Sequence, residues 1–250
     1  MNNLTFHKIH QPSCSKGWVL CFHHVGGSRL DYFFWRRLHD VEVWVAEFPN
    51  RQPQTLANSN LICADQWLNE IITFIEKTYS EHSLPGSLFG MSLGAQIAFQ
   101  TGCKLENLGL AETVKKIFIA SALAPIQFIV HDISHFLSAD DNWMAHEFNL
   151  TKNNIFDQHI DIVIKDIIDR IRFDYHVYKS WQSFPVSPCN IPMTGFFGNS
   201  DPFLDSNTID LWSEMTYGEF TYHLLDGGHF FTANSLQRLL NIFHDEVILI

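Results

Sequence analysis

Gly90-Met91-Ser92-Leu93-Gly94 follows the apolar run Gly86-Ser87-Leu88-Phe89 and leads into Ala95, Ile97, Ala98 and Phe99, a segment with helical spacing. A G-x-S-x-G pentapeptide between a strand and a helix is a nucleophile elbow. The turn holds its serine in a strained conformation that presents Oγ, and small flanking residues admit neighbouring backbone where a Cβ would clash. Ser92 is therefore the candidate nucleophile, and its catalytic partners must come from elsewhere in the chain.

Outward from the elbow, short apolar runs alternate with longer segments of helical period, the mark of a parallel sheet covered on both faces. Trp18–Phe22, Glu42–Phe48, Lys116–Ala120, Pro192–Gly198 and Phe220–Leu224 read as further strands. Leu61, Ala64, Leu68, Ile71, Ile72, Ile75 and Tyr79 recur at helical steps, as do Leu236, Leu239, Leu240, Phe243 and Val247 near the end of the chain. The expected fold class is α/β, an α/β-hydrolase: a mostly parallel, doubly wound sheet with helices on both faces. Residues 127–184 break the alternation and carry Ile160, Ile164, Ile167, Ile168 and Ile171 at helical spacing. They are expected to form an inserted helical lid within a single domain spanning 1–250, placed near the elbow where it shapes an acyl pocket. A helical extension that only stabilises the sheet edge is the alternative.

With 250 residues, 46% hydrophobic and 14% aromatic, the chain can bury one large core. A net charge of −11 at pH 7 argues against a nucleic-acid groove or an anionic membrane surface, both of which repel it. Cys14, Cys21, Cys63, Cys103 and Cys189 are odd in number and lack C-x-x-C spacing, which suggests buried, reduced thiols in a cytoplasmic protein. No secretory signal is visible at the start. The longest apolar stretch, Ile117–Val130, is interrupted by Pro125 and Gln127 and is shorter than the ~18 residues of a membrane span.

Serine needs a base within hydrogen-bond reach and an acid to orient that base. On this fold the order is serine, acid, histidine, each after a strand. Asp201 in Gly198-Asn199-Ser200-Asp201-Pro202 fits the acid, and His229 in Gly227-Gly228-His229-Phe230-Phe231 fits the base. Asp205, Asp210 and Asp226 compete for the acid's place; Asp205 reads better as a helix N-cap, and Asp226 stands too near His229. The developing oxyanion needs backbone donors. Leu93 N–H, after the nucleophile, is one candidate; Val25 N–H, in the glycine-bearing loop Phe22-His23-His24-Val25-Gly26-Gly27, is the other. His23 and His24 are adjacent and lack the spacing of a coordination shell, so no metal and no cofactor are expected.

These motifs together resemble the type II thioesterases, the free-standing editing enzymes of nonribosomal peptide and polyketide assembly lines. Phe22 to Ser28 is similar to the family's F-P-x-A-G-G-S, Phe48-Pro49-Asn50-Arg51 to its L-P-G-R, and Leu88 to Ala95 to its F-G-H-S-M-G-A. Gly198 to Pro202 is similar to G-x-x-D-P, Gly227 to Phe231 to G-G-H-F-F, and Ile171-Arg172-Phe173-Asp174-Tyr175 to L-R-A-D-x. His23 stands where the family has proline, Val25 for its alanine, Asn50 for its glycine and Met91 for its histidine. The resemblance implies hydrolysis of acyl or aminoacyl groups from the phosphopantetheine arm of a carrier protein, by a monomer acting in trans without a cofactor of its own. A small-molecule ester or amide hydrolase on the same scaffold is the nearest alternative. An acyl-binding or interaction protein with an idle triad is a further one.

Overall fold

The protein is described by a computed structural model covering residues 3–49, 51, 64–148, 150 and 158–248. Its sheet has seven strands: β1 (Thr5–His10), β2 (Gly17–Phe22), β3 (Val41–Glu47), β4 (Gly86–Met91), β5 (Val114–Ala120), β6 (Met193–Gly198) and β7 (Phe220–Leu225). They lie in the order β1-β3-β2-β4-β5-β6-β7, with β1 antiparallel to β3 and every other neighbouring pair parallel. The chain moves outward from β2 to β3, then returns to lay β4 on the other side of β2. The β2–β4 pair is thus the topological switch point, where doubly wound sheets open a crevice beyond the carboxyl ends of their strands.

Alternate side chains of each central strand feed two cores. Trp18, Leu20 and Phe22 of β2, Leu88 of β4 and Ile117 and Ile119 of β5 pack on one face with α1 (Ala64–His82) and α2 (Leu93–Asn107). On the other face Val19, Cys21, Phe89 and Phe118 meet a 3-10 helix, Arg29–Arg37, and the last helix of the chain. Burial on both faces explains why the parallel strands read as continuous apolar runs; all six residues of β2 and of β6 are buried.

Between β5 and β6 lie α3 (Pro125–Phe128), α4 (Ser134–Ser138), α5 (Asp141–Glu147) and α6 (Gln158–Trp181). Ile168 and Ile171 of α6 are buried, while Ile164 and Ile167 pack on the core from a half-buried position. Then come α7 (Ser206–Ser213) and α8 (Ala233–Ile248), which buries Leu239, Leu240, Phe243 and Val247. Among the described residues no helix is long and apolar enough to cross a membrane.

The thiols differ from the sequence expectation. Cys21 and Cys189 are buried and Cys103 is half-buried, but Cys14 is exposed in the turn before β2; all four are free. Asn50, Leu61 and Cys63 lie outside the described residues.

Candidate active site

Ser92 joins β4 to α2 with φ 54° and ψ −116°, a left-handed conformation that a side chain adopts only when its surroundings impose it. Its N–H donates to Ala120 O on β5 at 2.8 Å, and its carbonyl accepts from Ala95 N–H at 3.0 Å. The flanking glycines follow from backbone crowding. A Cβ on Gly90 would strike Gly94 and Ala95 of α2, and one on Gly94 would strike the carbonyls of Phe22 and His23 at the end of β2. Gly94→Ala is therefore expected to cost roughly 1–3 kcal/mol or more, because a backbone carbonyl cannot swing away as a side chain can. At about 2–4 °C per kcal/mol, thermal unfolding should register a drop of several degrees, and an unchanged midpoint contradicts this packing.

Asp201 and His229 are brought together: Nδ1 of the imidazole lies 2.9 Å from Asp201 Oδ2. The Asp201 side chain is fully buried, and its second oxygen accepts Phe203 N–H at 3.0 Å. With both oxygens engaged as acceptors, the carboxylate selects the Nδ1–H tautomer and leaves Nε2 free to take a proton. Phe203 and Phe230 flank the His229 ring edge-on, with centroids at 5.8 and 5.6 Å. Gly198 is required because a Cβ there would meet the carbonyls of Gly227 and Gly228, so the acid-bearing turn and the histidine-bearing turn share one close contact. The competing acids are used otherwise. Asp205 caps α7 by accepting Thr208 N–H at 2.9 Å, Asp226 accepts from Asn199 Nδ2 at 2.9 Å, and Asp210 is exposed on α7.

The loop after β2 completes the cluster. Val25 sits in it half-buried, and Leu93 opens α2, whose first N–H groups have no acceptor within the helix. Close approach of Gly94 to the carbonyls of Phe22 and His23 brings the start of α2 against the beginning of this loop. From there His24 packs edge-on against Phe230 at 4.9 Å, and Phe230 reaches His229, so elbow, loop and imidazole share one end of the sheet.

Two residues named in the sequence only as family letters belong to the same neighbourhood. Arg51 and Asp174 are buried and face each other at 3.4 Å. Arg51 also donates to Gly27 O and to His23 Nε2, while Asp174 Oδ2 accepts Gly26 N–H at 2.8 Å. Burial pushes the Asp174 carboxyl up to about 6, against the opposing pull of Arg51 and of the Gly26 N–H. Burial, and after it the Arg51 charge, hold His23 well below the usual imidazole range, so that ring is neutral. The signal for Asp174 was present in the sequence: a carboxylate between Phe173 and Tyr175 on an apolar helix face needs a buried partner. Among the described residues no group of three or more His, Cys, Asp or Glu side chains is placed to hold a metal ion.

Comparison with known proteins bears on the family and the fold. The family model of the thioesterase domain matches residues 18–247. Thioesterase PikA5 of Streptomyces venezuelae is 25% identical over 99% of this chain and 86% of its own length. The gramicidin S biosynthesis protein GrsT of Aneurinibacillus migulanus is 23% identical over 99% of this chain and 95% of its own. The structure of the type II thioesterase BorB from the borrelidin biosynthetic cluster superposes with a TM-score of 0.76 at 21% identity, covering 97% of both chains, and so shares the α/β-hydrolase fold. A parallel sheet switched at β2 and β4, an elbow at that switch point and a family match over nearly the whole chain place this protein in the thioesterase family, whose members hydrolyse thioester bonds.

Proposed function

We propose that this chain is a serine thioesterase that removes acyl or aminoacyl groups from the phosphopantetheine arm of carrier proteins, clearing stalled chains in polyketide or nonribosomal peptide synthesis. Ser92 Oγ attacks the thioester carbonyl while His229 Nε2 takes its proton and then returns it to the leaving thiol. Asp201 orients the imidazole and stabilises its charged form. Leu93 and Val25 N–H groups hold the oxyanion. Water then repeats the cycle on the acyl-enzyme. Sulfur donates weakly into the carbonyl, so the substrate arrives activated and the site needs no cofactor of its own.

The observation that carries this reading is the 2.9 Å contact of His229 Nδ1 with a fully buried Asp201 carboxylate, in a chain whose elbow serine occupies the switch point of a thioesterase fold. The carrier-bound substrate is supported by relatives named for assembly-line products, gramicidin S and borrelidin among them. In this reading 1–250 is one domain, acting as a cytoplasmic monomer, and the helices between β5 and β6 form its lid. Within it Phe136 stacks on Tyr175 and Phe128 packs tilted against Tyr178, both with centroids at 4.2 Å.

The test compares one acyl group presented three ways: on a phosphopantetheinylated carrier, on a short thiol and on an aryl alcohol. A carrier thioesterase should show kcat/KM for the carrier substrate at least about tenfold above the other two, equivalent to about 1.4 kcal/mol of added transition-state binding. Equal turnover of all three assigns the site to a small-molecule esterase instead.

A further inference from the structure

The loop between β2 and the 3-10 helix is held by hydrogen bonds on both sides of Val25. His24 O accepts from His23 Nδ1–H at 2.8 Å and from Gly27 N–H at 3.0 Å. Val25 O accepts from His24 Nδ1–H at 2.8 Å, and the N–H of the same peptide, on Gly26, donates to Asp174. In a trans peptide C=O and N–H point in opposite directions, so whatever fixes His24 O fixes the direction of Val25 N–H. The atoms that do this are not in the loop alone. His23 can donate from Nδ1 because its Nε2 accepts from Arg51, which also holds Gly27 O and faces Asp174. Asp174 belongs to α6, and Ile171, one turn before it, packs so closely on Gly26 (φ 78°) that a Cβ there would lie 2.8 Å from Ile171 Cγ1.

We infer that Arg51, Asp174 and His23 form a positioning relay that aims Val25 N–H at the oxyanion, so that docking of α6 and assembly of the oxyanion hole are a single event. None of the three touches the reacting atoms; each acts through the peptide planes on either side of Val25. The relay also gives His23 its reason: proline at that position has no ring donor to hold His24 O, and here the imidazole supplies one. The inference rests on the proposed serine mechanism, and it extends that mechanism to the helices between β5 and β6, which do more than wall the acyl pocket.

Two variants test it. Asp174→Asn keeps the shape but removes the charge that faces Arg51; the double variant Asp174→Leu/Arg51→Met removes both charges, a replacement that buried ion pairs commonly tolerate without loss of stability. Steady-state kinetics on an acyl thioester is measured beside the rate at which a fluorophosphonate labels Ser92, a reaction whose tetrahedral product also occupies the oxyanion hole. The expected result is a kcat lowered by about 10–100-fold with KM within about threefold of wild type, and a parallel fall in labelling rate, in protein that melts cooperatively. A folded double variant with kcat and labelling within about threefold of wild type overturns the inference, as does a loss confined to KM. Failure of the double variant to fold also overturns it, since the pair then serves stability. Labelling keeps this test separate from the substrate assignment: a wild-type protein that labels at Ser92 yet clears no carrier refutes the proposed function and still reports on the relay.

Discussion

Ser92→Ala should lower kcat for thioester hydrolysis by about 10⁴–10⁶ while leaving the fold intact, because Oγ is the bond-forming atom and nothing nearby can replace it. The methyl group fits wherever the hydroxymethyl fits, and the strained φ of 54° is held by Ala120 O and the start of α2, not by Oγ. Thermal unfolding should therefore be close to that of wild type. KM should change little, since the acyl and pantetheine contacts are untouched. The residual rate of the folded variant measures what the oxyanion donors and binding supply by themselves. A variant within about tenfold of wild-type kcat would exclude Ser92 as nucleophile.

Asp201→Asn carries the second large effect, about 10⁴ in kcat, through the tautomer of His229. In the wild type Oδ2 accepts from Nδ1–H and Oδ1 from Phe203 N–H, so the carboxylate is an acceptor at both oxygens. If the amide keeps its oxygen on Phe203 N–H, its NH₂ faces Nδ1. The imidazole then moves its proton to Nε2 and cannot accept from the serine. The effect should not add to that of Ser92→Ala: the double variant is expected to be no slower than Ser92→Ala alone, because the two side chains serve one proton transfer. Additive losses would mean that Asp201 acts through some other route, for instance by holding the turn at Phe203.

The parts of this molecule legible in sequence are those where one short segment carries the whole message. Trp18–Phe22 and Pro192–Gly198 read as strands because a parallel strand buried on both faces leaves a continuous apolar run. Ser92, Asp201 and His229 each stand in a glycine-marked turn after a strand, and those glycines answer backbone contacts between the turns themselves. β1 is harder to see: in Thr5-Phe6-His7-Lys8-Ile9-His10 the apolar Phe6 and Ile9 stand three apart, the pairing register shifts between Lys8 and His10, and only Ile9 is buried, so no period-two pattern marks the strand. The 3-10 helix Arg29–Arg37 is similarly hidden, since only Tyr32 and Trp35 among its nine residues are buried.

Arg51 and Asp174 show the other limit. Each resembles a family motif, yet neither motif states a role, because the role exists only when the two side chains meet beneath Gly26 and Gly27. His23 and His24 invite a reading as metal ligands, which the sequence spacing opposes. Their ring nitrogens instead hold the carbonyls of the residues that follow them. The apolar surroundings of Asp174 in sequence call for a buried partner, but a pairing across so long a separation leaves no local pattern that says which residue the partner is.

The most direct test of the account is to find the covalent intermediate. Protein mixed with excess acyl thioester and quenched within a turnover should gain the mass of one acyl group, and proteolysis should place it on the peptide bearing Ser92. Ser92→Ala should gain nothing. An unmodified Ser92 peptide during continuing turnover, or an adduct carried by another residue, would contradict the claim that this fold works through an acyl-serine.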